Sequence, residues 1–312
     1  MDKNSFEENK KDAGYYWSTN LDLKICTPPS MHTRDCFCLW SDLLGFSNIF
    51  YECNWILTES EKKRIYQRLQ AAHNIVLSQS SPLERTLILN DGIAKVFNPK
   101  NYCEDINNLL NISLYIRSCV MLHIMINKSE KRMELPGCRS VLAFGENIEY
   151  LADDIRYDDY VMNYSKPKGS NISNVASRTG NPIVVYNPKE LQMNTAFSKS
   201  YLLEAGGSKS GLMGNQFFVD ESSLTAIITY AKDKGYSPIW EEREEGLCLF
   251  VPYKNNNDEV VMGFCFDKDI IIPKDVRYNT RVYKLKRYYP HDEKITDFYF
   301  DLQEYSNEST RK

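Results

Sequence analysis

The chain has 312 residues, of which 42% are hydrophobic and 26% charged, as is ordinary for a globular protein of one large or two modest domains. Its formal net charge of -4 argues against duplex nucleic acid or an anionic membrane as a main partner, because both select basic surfaces. No apolar run approaches the roughly 20 residues of a membrane span, and residues 1–13 contain no signal-peptide segment, so we expect a cytoplasmic protein.

The first part of the chain predicts a strand followed by two helices. Residues 1–30 are polar and irregular and predict an N-terminal tail. The short apolar run 36–40 predicts a buried strand, and a helix start follows at residues 45–48. Thr58 and Glu61 have the spacing of a capping box, which predicts that a second helix begins there.

A hairpin and further alternating elements come next. The turn signal Asn90-Asp91-Gly92 joins strand-like runs at 85–89 and 93–97. Residues 104–126 predict a long helix, because apolar residues recur at helical spacing. The remaining elements up to residue 220 are a strand at 138–144, a polar stretch at 146–180, a strand at 183–186, a helix at 188–204 and a strand at 217–220.

These elements predict a main domain at residues 31–220 with an α/β (α+β) fold. We expect a palm- or ferredoxin-like, mostly antiparallel sheet with helices packed on one face. The pattern changes from residue 221 onward, and residues 221–312 predict a smaller appended α+β unit of unknown role. That unit contains a helix at 222–234 and strand-like runs around 247–252, 259–266, 280–286 and 296–302. The nine cysteines form no CxxC pair and several lie in apolar runs, so we expect buried, reduced thiols.

Two carboxylates stand at special places in this order of elements. Asp42 closes the first strand, and Asp91 lies in the turn between the second and third strands. In such a sheet the first strand lies beside that hairpin, so both carboxylates emerge at the same end. Two carboxylates held close together need a cation between them to remain ionised. Mg²⁺ and Mn²⁺ prefer a few carboxylates together with phosphate oxygens, so the pair predicts a site for two metal ions.

A phosphate turn is predicted directly after Asp42. Free backbone N–H groups at a helix start bind phosphate, and the helix dipole favours its negative charge. Gly45, Phe46 and Ser47 form this turn, and Gly45 would let the phosphates approach the backbone. A lone Asp before a Gly is more often a turn or cap residue, so the prediction depends on the pairing of Asp42 with Asp91.

The segments around both carboxylates resemble the two metal motifs of class III nucleotidyl cyclases. These segments are Trp40-Ser41-Asp42-Leu43-Leu44-Gly45-Phe46-Ser47 and Leu89-Asn90-Asp91-Gly92-Ile93. Residues 138–146, Cys-Arg-Ser-Val-Leu-Ala-Phe-Gly-Glu, are similar to the next strand of bacterial relatives. The compact chain is most similar to the pyrimidine nucleotide cyclases of Pycsar anti-phage systems, over residues 35–220.

The resemblance implies a fold, an activity and an assembly. It implies a homodimer with active sites at the subunit boundary, and conversion of a nucleoside triphosphate to a 3′,5′-cyclic monophosphate with release of pyrophosphate. Asp42, Leu43 and Asp91 would form the metal site for two Mg²⁺ or Mn²⁺ ions. A pyrimidine substrate, UTP or CTP, and a separate effector that responds to the cyclic nucleotide follow from the likeness to the defence enzymes.

The sequence departs from the family at its transition-state residues. The family places an Asn and, four residues later, an Arg on a helix. Residues 174–178 match these letters, but Pro182 follows closely and excludes a continuing helix. On the helix 188–204 we expect Asn194, with Ser198 or Lys199 in the place of the Arg. If Ser198 is the match, the missing charge would come from elsewhere, with Arg139 and Lys95 as the candidates. Ser140 also replaces a Gly of the family.

The base pocket is the least readable part of the sequence. Phe50 and Tyr51 follow the phosphate turn and would narrow it toward a pyrimidine, although one core and one surface aromatic is the simpler interpretation. Two rival functions remain open. One is a cyclase fold that has lost catalysis and acts as a nucleotide-binding or regulatory module. The other is a palm enzyme that makes oligonucleotides, for which we would expect a basic channel.

Overall fold

The computed structural model describes residues 32–99, 108–149, 172–176, 183–186, 188, 190–255, 258–290 and 299–305. The strands are β1 (His32–Leu43), β2 (Arg85–Leu89), β3 (Gly92–Phe97), β4 (Cys138–Glu149), β5 (Ile172–Ala176), β6 (Ile183–Tyr186), β7 (Phe217–Asp220), β8 (Ile239–Arg243), β9 (Gly246–Asn255), β10 (Asp258–Phe266), β11 (Val282–Tyr289) and β12 (Phe300–Asp301). The helices are α1 (Asn48–Glu52), α2 (Glu59–Ser78), α3 (Asn108–Arg132), α4 (Thr195–Gly206) and α5 (Glu221–Asp233). Short 3₁₀ helices lie at Gly207–Ser210 and Gln303–Tyr305.

Ten strands form one large sheet with the order β2-β3-β1-β4-β7-β11-β10-β9-β8, and β12 pairs with β11. The pairing of β4 with β7 is parallel, whereas β1 with β3, β7 with β11 and the pairs beyond β11 are antiparallel. The predicted α+β fold with a mostly antiparallel sheet is therefore confirmed. The hairpin β5–β6 belongs to a separate compact unit and is antiparallel.

The sheet and its core continue across residue 220. β11 pairs with β7, so the strands after residue 221 extend the same sheet, and Leu43 and Tyr288 belong to one hydrophobic cluster. The predicted division at residue 220 therefore does not coincide with a break in the sheet. The sequence pattern also missed β8, because four of its five residues, Trp-Glu-Glu-Arg after Ile239, lack an apolar alternation.

The two faces of the sheet carry different helices. Along β1, Phe37 and Leu39 belong to the large core cluster, which also contains buried residues of α2, α3 and α5. The alternate residues Cys36 and Cys38 instead cluster with Ala196 of α4. Because successive side chains of a strand point to opposite faces, α4 lies on the face opposite the other three helices. The prediction of helices on one face holds for α2, α3 and α5.

Among the described residues, one helix is long and apolar enough to cross a membrane. Residues Leu109–Arg132 of α3 contain a window with a mean hydropathy of 1.6, although no such run was expected from the sequence. In the fold, 61% of that window is buried within the protein, and Ile112, Tyr115 and Ile116 are fully buried. Packing in the core accounts for its apolar character, so the helix is weak evidence for a membrane span.

Candidate functional site

The structure places the two predicted metal-site residues side by side. β1 and β3 are antiparallel with Asp42 opposite Gly92, the residue that follows Asp91. The backbone N–H of Leu43 donates a hydrogen bond of 3.3 Å to the Asp91 carbonyl oxygen. Strand alternation puts Asp42 on the face that α4 covers, since it shares the parity of Cys36 and Cys38.

The conformation of the hairpin turn fixes the position of Asp91. Asn90 adopts a left-handed φ of 60°, and its side-chain amide donates to an Asp91 carboxylate oxygen at 3.1 Å. Gly92 lies under the Trp40 ring, where an added Cβ would come within 2.3 Å of a ring carbon. Glycine is therefore required at position 92 for the ring to lie there. Gly92 in the Asn-Asp-Gly sequence thus makes room for Trp40 and also favours the turn.

The electrostatics of the pair favour a bound cation. Burial raises the pKa of the Asp42 carboxyl to about 7, with smaller contributions from the negative charges of Glu204 and Asp91. The guanidinium groups of Arg139 and Arg68 lower it but do not compensate for burial. Burial also raises the pKa of Asp91. No salt bridge within the described part of the chain reaches either carboxylate. Two hard, partly buried and unpaired carboxylates are a donor set that Mg²⁺ and Mn²⁺ fit.

A buried ion pair on the same face joins Arg139, a predicted site residue, to Glu204, which was not predicted. Arg139 Nη1 lies 3.1 Å from Glu204 Oε1, and both side chains are almost fully buried. Burial raises the pKa of Glu204 despite the opposing effect of Arg139. The Trp40 indole also lowers the pKa of Glu204, yet its Nε1 has no partner with good hydrogen-bond geometry. Arg139, a predicted source of positive charge, is therefore already engaged by Glu204, a residue that no sequence motif singled out.

The segment predicted to bind phosphate forms a turn that leads into a very short helix. Gly45 is exposed with a φ of 66°, whereas Phe46 is buried beneath the Arg68 guanidinium. α1 has five residues, and Ser47 makes no side-chain cap. The N–H of Phe46 donates to the Leu43 carbonyl at 3.2 Å, and the N–H of Asn48 donates to that of Gly45 at 3.2 Å. The backbone of this turn is thus partly occupied, and a five-residue helix supplies little dipole.

Phe50 and Tyr51, the two aromatic residues after the turn, are one core and one surface residue, which was the simpler interpretation of the sequence. Phe50 is half-buried and packs against the core, whereas Tyr51 is 66% exposed. Both rings contact Trp55, with centroid distances of 5.7 Å for Phe50 and 5.4 Å for Tyr51. Their role in a base pocket stays a prediction.

Lys95 lies on the face of the sheet opposite Asp42. It lies two residues from both Ile93 and Phe97 along β3, so it points to the same face as these core residues, and it is fully buried. Its Nζ lies 2.8 Å from Glu84 Oε1 and donates to the Gln79 carbonyl at 2.7 Å. These contacts give Lys95 a structural partner for its charge, and they do not favour the nucleotide-binding role predicted for it.

The predicted α4 residues are largely engaged within the subunit. Asn194 is buried and caps the helix: its side-chain oxygen accepts from the Phe197 N–H at 2.8 Å, and its amide donates to the Glu190 carbonyl at 2.8 Å. The exposed Ser198 donates to the Asn194 carbonyl at 3.0 Å. Lys199 Nζ donates to the Phe144 carbonyl at 2.9 Å and lies over the Tyr278 ring. Ser198 is exposed and Lys199 is half-buried, so both side chains are closer to solvent than that of Asn194, which is buried.

Residues 174–178, the alternative match to the Asn and Arg, lie partly in β5. Asn174 belongs to that strand, opposite Val185 of β6, and Arg178 lies outside the described residues. A strand is not the helical setting that the spacing of four requires. The structure therefore does not favour this alternative.

Ser140 proves to face away from the predicted site. Its hydroxyl lies 2.8 Å from Ser41 Oγ and 2.8 Å from His123 Nδ1 in a buried network on the α3 side of the sheet. Burial lowers the pKa of His123 to about 3, which keeps the ring neutral within this network. The Ser in place of Gly thus connects β1, β4 and α3, and its hydroxyl lies on the face of the sheet opposite Asp42.

A separate cavity of about 590 Å³ lies at the opposite end of β1. Its walls include Asp35, Glu221, Tyr230 and Tyr278. Seven residues of strand separate Asp35 from Asp42, or roughly 23 Å at the usual rise of a strand. The cavity is therefore not part of the site formed by Asp42 and Asp91.

Comparison with known proteins identifies no family for the chain. No family model matches it, and no curated protein does. Solved structures that align over most of it include the adenylyl cyclase CyaB from P. aeruginosa (TM-score 0.36, 9% identity, 82% of this chain and 96% of that chain), the guanylyl cyclase Cya2 (0.40, 11%, 86% and 98%) and the dimeric guanylyl cyclase domain of RhoGC from Blastocladiella emersonii (0.38, 9%, 84% and 98%).

Proposed function

We propose that the chain is a metal-dependent nucleotide cyclase. In this proposal it converts a nucleoside triphosphate to a 3′,5′-cyclic nucleotide and pyrophosphate. The observation that carries the proposal is the juxtaposition of Asp42 and Asp91, whose backbones are joined by the hydrogen bond from Leu43 and whose carboxylates have no salt bridge among the described residues. The sequence motifs around both residues, in their resemblance to class III cyclases, indicate the reaction.

Each residue of the proposed site has a limited task. Asp42 and Asp91 would hold two Mg²⁺ or Mn²⁺ ions, and the Leu43 carbonyl offers a further oxygen beside them. Bound divalent ions supply activation of the attacking hydroxyl and stabilisation of the leaving phosphates. Gly45 and Ser47, whose N–H groups form no hydrogen bond with described residues, would orient the phosphates. Trp40, whose ring contacts Phe197 and Tyr201 of α4 and lies over Gly92, would limit the access of water to the site.

We further propose that the substrate is a pyrimidine triphosphate and that its product signals to a separate effector in anti-phage defence. This part rests on the resemblance to the Pycsar cyclases. With all four triphosphates at equal concentration and Mn²⁺ present, we expect cyclic UMP or cyclic CMP to dominate the products measured by mass spectrometry. Shape alone discriminates by about 1–3 kcal/mol, so an excess of roughly 10- to 200-fold is expected.

The outcome of this competition separates two parts of the proposal. Cyclic AMP or cyclic GMP as the main product would contradict the pyrimidine preference and leave the cyclase activity standing. Absence of any cyclic product with all four triphosphates would contradict the cyclase activity itself. If Tyr51→Ala leaves the base preference unchanged, this exposed ring does not form the base pocket.

A homodimer with shared sites is the assembly that we propose. Asp42 and α4 belong to the same chain, but the exposed Ser198 hydroxyl and, once released from the Phe144 carbonyl, the half-buried Lys199 amine would act on the metal site of the partner subunit. We expect light scattering to give a dimer, and mixtures of inactive Asp42→Ala and inactive Lys199→Ala subunits to recover part of the activity. Lys209→Ala, which changes an exposed lysine just beyond α4, is the matched control and should remain active by itself. No recovery despite demonstrated subunit exchange would contradict a shared site.

The second candidate function is a nucleotide-binding or regulatory module without catalysis. Two observations favour it: the side-chain oxygen of Asn194 caps α4 while its amide donates to the Glu190 carbonyl, and the charge of Arg139 is paired with Glu204. Such a module would bind a triphosphate in the presence of Mn²⁺, detectable by calorimetry, and release no pyrophosphate over hours.

A further inference from the structure

Two cysteines face each other across neighbouring strands at the far end of the sheet. Cys248 of β9 is the direct partner of Cys265 of β10, so both side chains project from the same face. Their sulfur atoms lie 2.8 Å apart, and both residues are fully buried. This distance is far longer than the roughly 2.05 Å of a disulfide bond. The expectation of buried, reduced thiols is thus met here by a pair and not by isolated residues.

A carboxylate completes a set of three donors around this pair. Glu245 lies in the two-residue turn between β8 and β9, and its ligand oxygen and both sulfurs lie within 4.8 Å of one another. Lys286 Nζ donates to the Glu245 carbonyl oxygen at 2.7 Å and so holds this turn against β11. The carboxylate is therefore positioned over the thiols by contacts that do not depend on any ligand.

We propose that Cys248, Cys265 and Glu245 bind a thiophilic divalent cation such as Zn²⁺. Thiolate sulfur and carboxylate oxygen are both common zinc donors, at about 2.3 Å and about 2.0–2.2 Å. A tetrahedral site with these bonds has ligand atoms roughly 3.5–4 Å apart, so the two sulfurs must separate by about 1 Å. Rotation of the cysteine side chains provides this movement without displacing the strands. We assign the fourth position to water, because the carboxylate of Glu241, the direct partner of Cys248 on β8, accepts from Nε and Nη2 of Arg243.

Local irregularities of the backbone support a site at this place. The pairing of β10 with β11 shifts register between Cys265 and Phe266, and such bulges redirect a side chain from its regular orientation. Gly246, which follows Glu245, has no side chain; an added Cβ would come within 1.9 Å of the Phe266 carbonyl oxygen and 3.4 Å of Cys265 Sγ. The turn can therefore approach Cys265 closely only with glycine at position 246.

The charges around the three donors also suit a cation. Two thiolates and one carboxylate with a divalent ion leave a net charge of -1. Arg287 Nη1 lies 3.8 Å from Glu245 Oε1, and Arg287 is the direct partner of Cys265 on β11. A bound divalent ion would supply the charge that allows both thiols to ionise.

Cobalt substitution of the whole chain tests this site independently of any cyclase activity. The reduced, metal-free protein is titrated anaerobically with Co²⁺, and we expect one equivalent to produce the thiolate-to-cobalt absorption of a tetrahedral site. Zn²⁺ should displace the cobalt and abolish the absorption. In Cys248→Ser and Cys265→Ser the absorption should be lost, and Glu245→Gln should weaken cobalt binding at least about tenfold, since one of three protein ligands is changed. Cys53→Ser, which changes a cysteine outside the cluster, is the matched control.

The competing outcomes are measurable in the same samples. Circular dichroism verifies that each variant is folded, and Glu245→Gln keeps the test valid if a serine variant is not. An unchanged cobalt spectrum in folded Cys248→Ser would overturn the proposal. So would the absence of any bound cobalt in the native chain, or a thiol count in denaturant that is two short under non-reducing conditions, which would show a disulfide between these cysteines instead.

Discussion

Asp42→Asn and Asp91→Asn are each expected to lower the rate of cyclic-nucleotide formation by about 1,000-fold or more, since a metal contributes several kcal/mol to transition-state stabilisation. Each amide removes a charge that the ions require, while Asn retains the shape of Asp. The rate is measured as pyrophosphate release with Mn²⁺ and the preferred triphosphate. Asp269→Asn, which changes an exposed aspartate remote in sequence from both motifs, is the control and should keep native activity.

The stability of the same variants carries a second, independent signal. The pKa of Asp42 rises from 3.8 to about 7 on folding, so its neutral form stabilises the fold below pH 4, and this contribution is lost as the pH rises toward 7. Urea unfolding in the presence of a chelator should therefore show wild-type stability falling across this interval, and a smaller fall in Asp42→Asn. Native activity in either Asn variant would contradict the two-metal site, whereas an unchanged pH slope would contradict only the burial of the Asp42 charge.

Lys95→Met is expected to destabilise the fold by about 3–5 kcal/mol, because it leaves the carboxylate of Glu84 buried without its partner. Both side chains of this pair are fully buried, and the pair joins β3 to the segment before β2. The free energy of unfolding in urea measures the effect. Glu242→Gln at the exposed pair with Lys268 is the matched control, with an expected change of about 0–1 kcal/mol.

This substitution also distinguishes a structural role of Lys95 from the predicted role in nucleotide binding. If Lys95 is structural, the double variant Lys95→Met with Glu84→Leu should recover much of the stability, since an apolar pair can replace a buried ion pair. A Lys95→Met protein of native stability that binds triphosphate weakly would contradict the structural role.

The sequence predicted that Asp42 and Asp91 lie side by side because the determinants of this placement are local. A strand that ends at Asp42 and an Asn-Asp-Gly turn are short-range patterns, and antiparallel pairing brings them together. The face on which Lys95 lies could also be predicted, since Lys95 is two residues from both Ile93 and Phe97 in one strand. Its partner Glu84 was not indicated by any motif. The pairing of Arg139 with Glu204 joins residues 65 positions apart, and only the packing of α4 on the sheet produces it.

The continuation of the sheet was harder to predict for a related reason. β7 has four residues and is buried on both faces, so its sequence shows no alternation of apolar and polar residues. The sequence therefore did not indicate that another strand, β11, pairs with it. β8 is rich in charge because it is an edge strand, where charged side chains protect against aggregation. The change of pattern at residue 221 predicted a separate unit, but a change of pattern need not be the end of a sheet.

The parallel contact between β4 and β7 has a consequence for the synthesis of this protein. As the chain leaves the ribosome, β1, β2 and β3 can pair at once, but β4 keeps one open edge until β7 emerges, and β7 keeps one until β11 follows. Open strand edges can recruit other chains, so we expect the nascent protein to be prone to aggregation for longer than its short hairpins suggest. For the same reason, residue 220 is a poor place to cut the gene for recombinant expression, because the fragment would end on the unpaired edge of a buried strand.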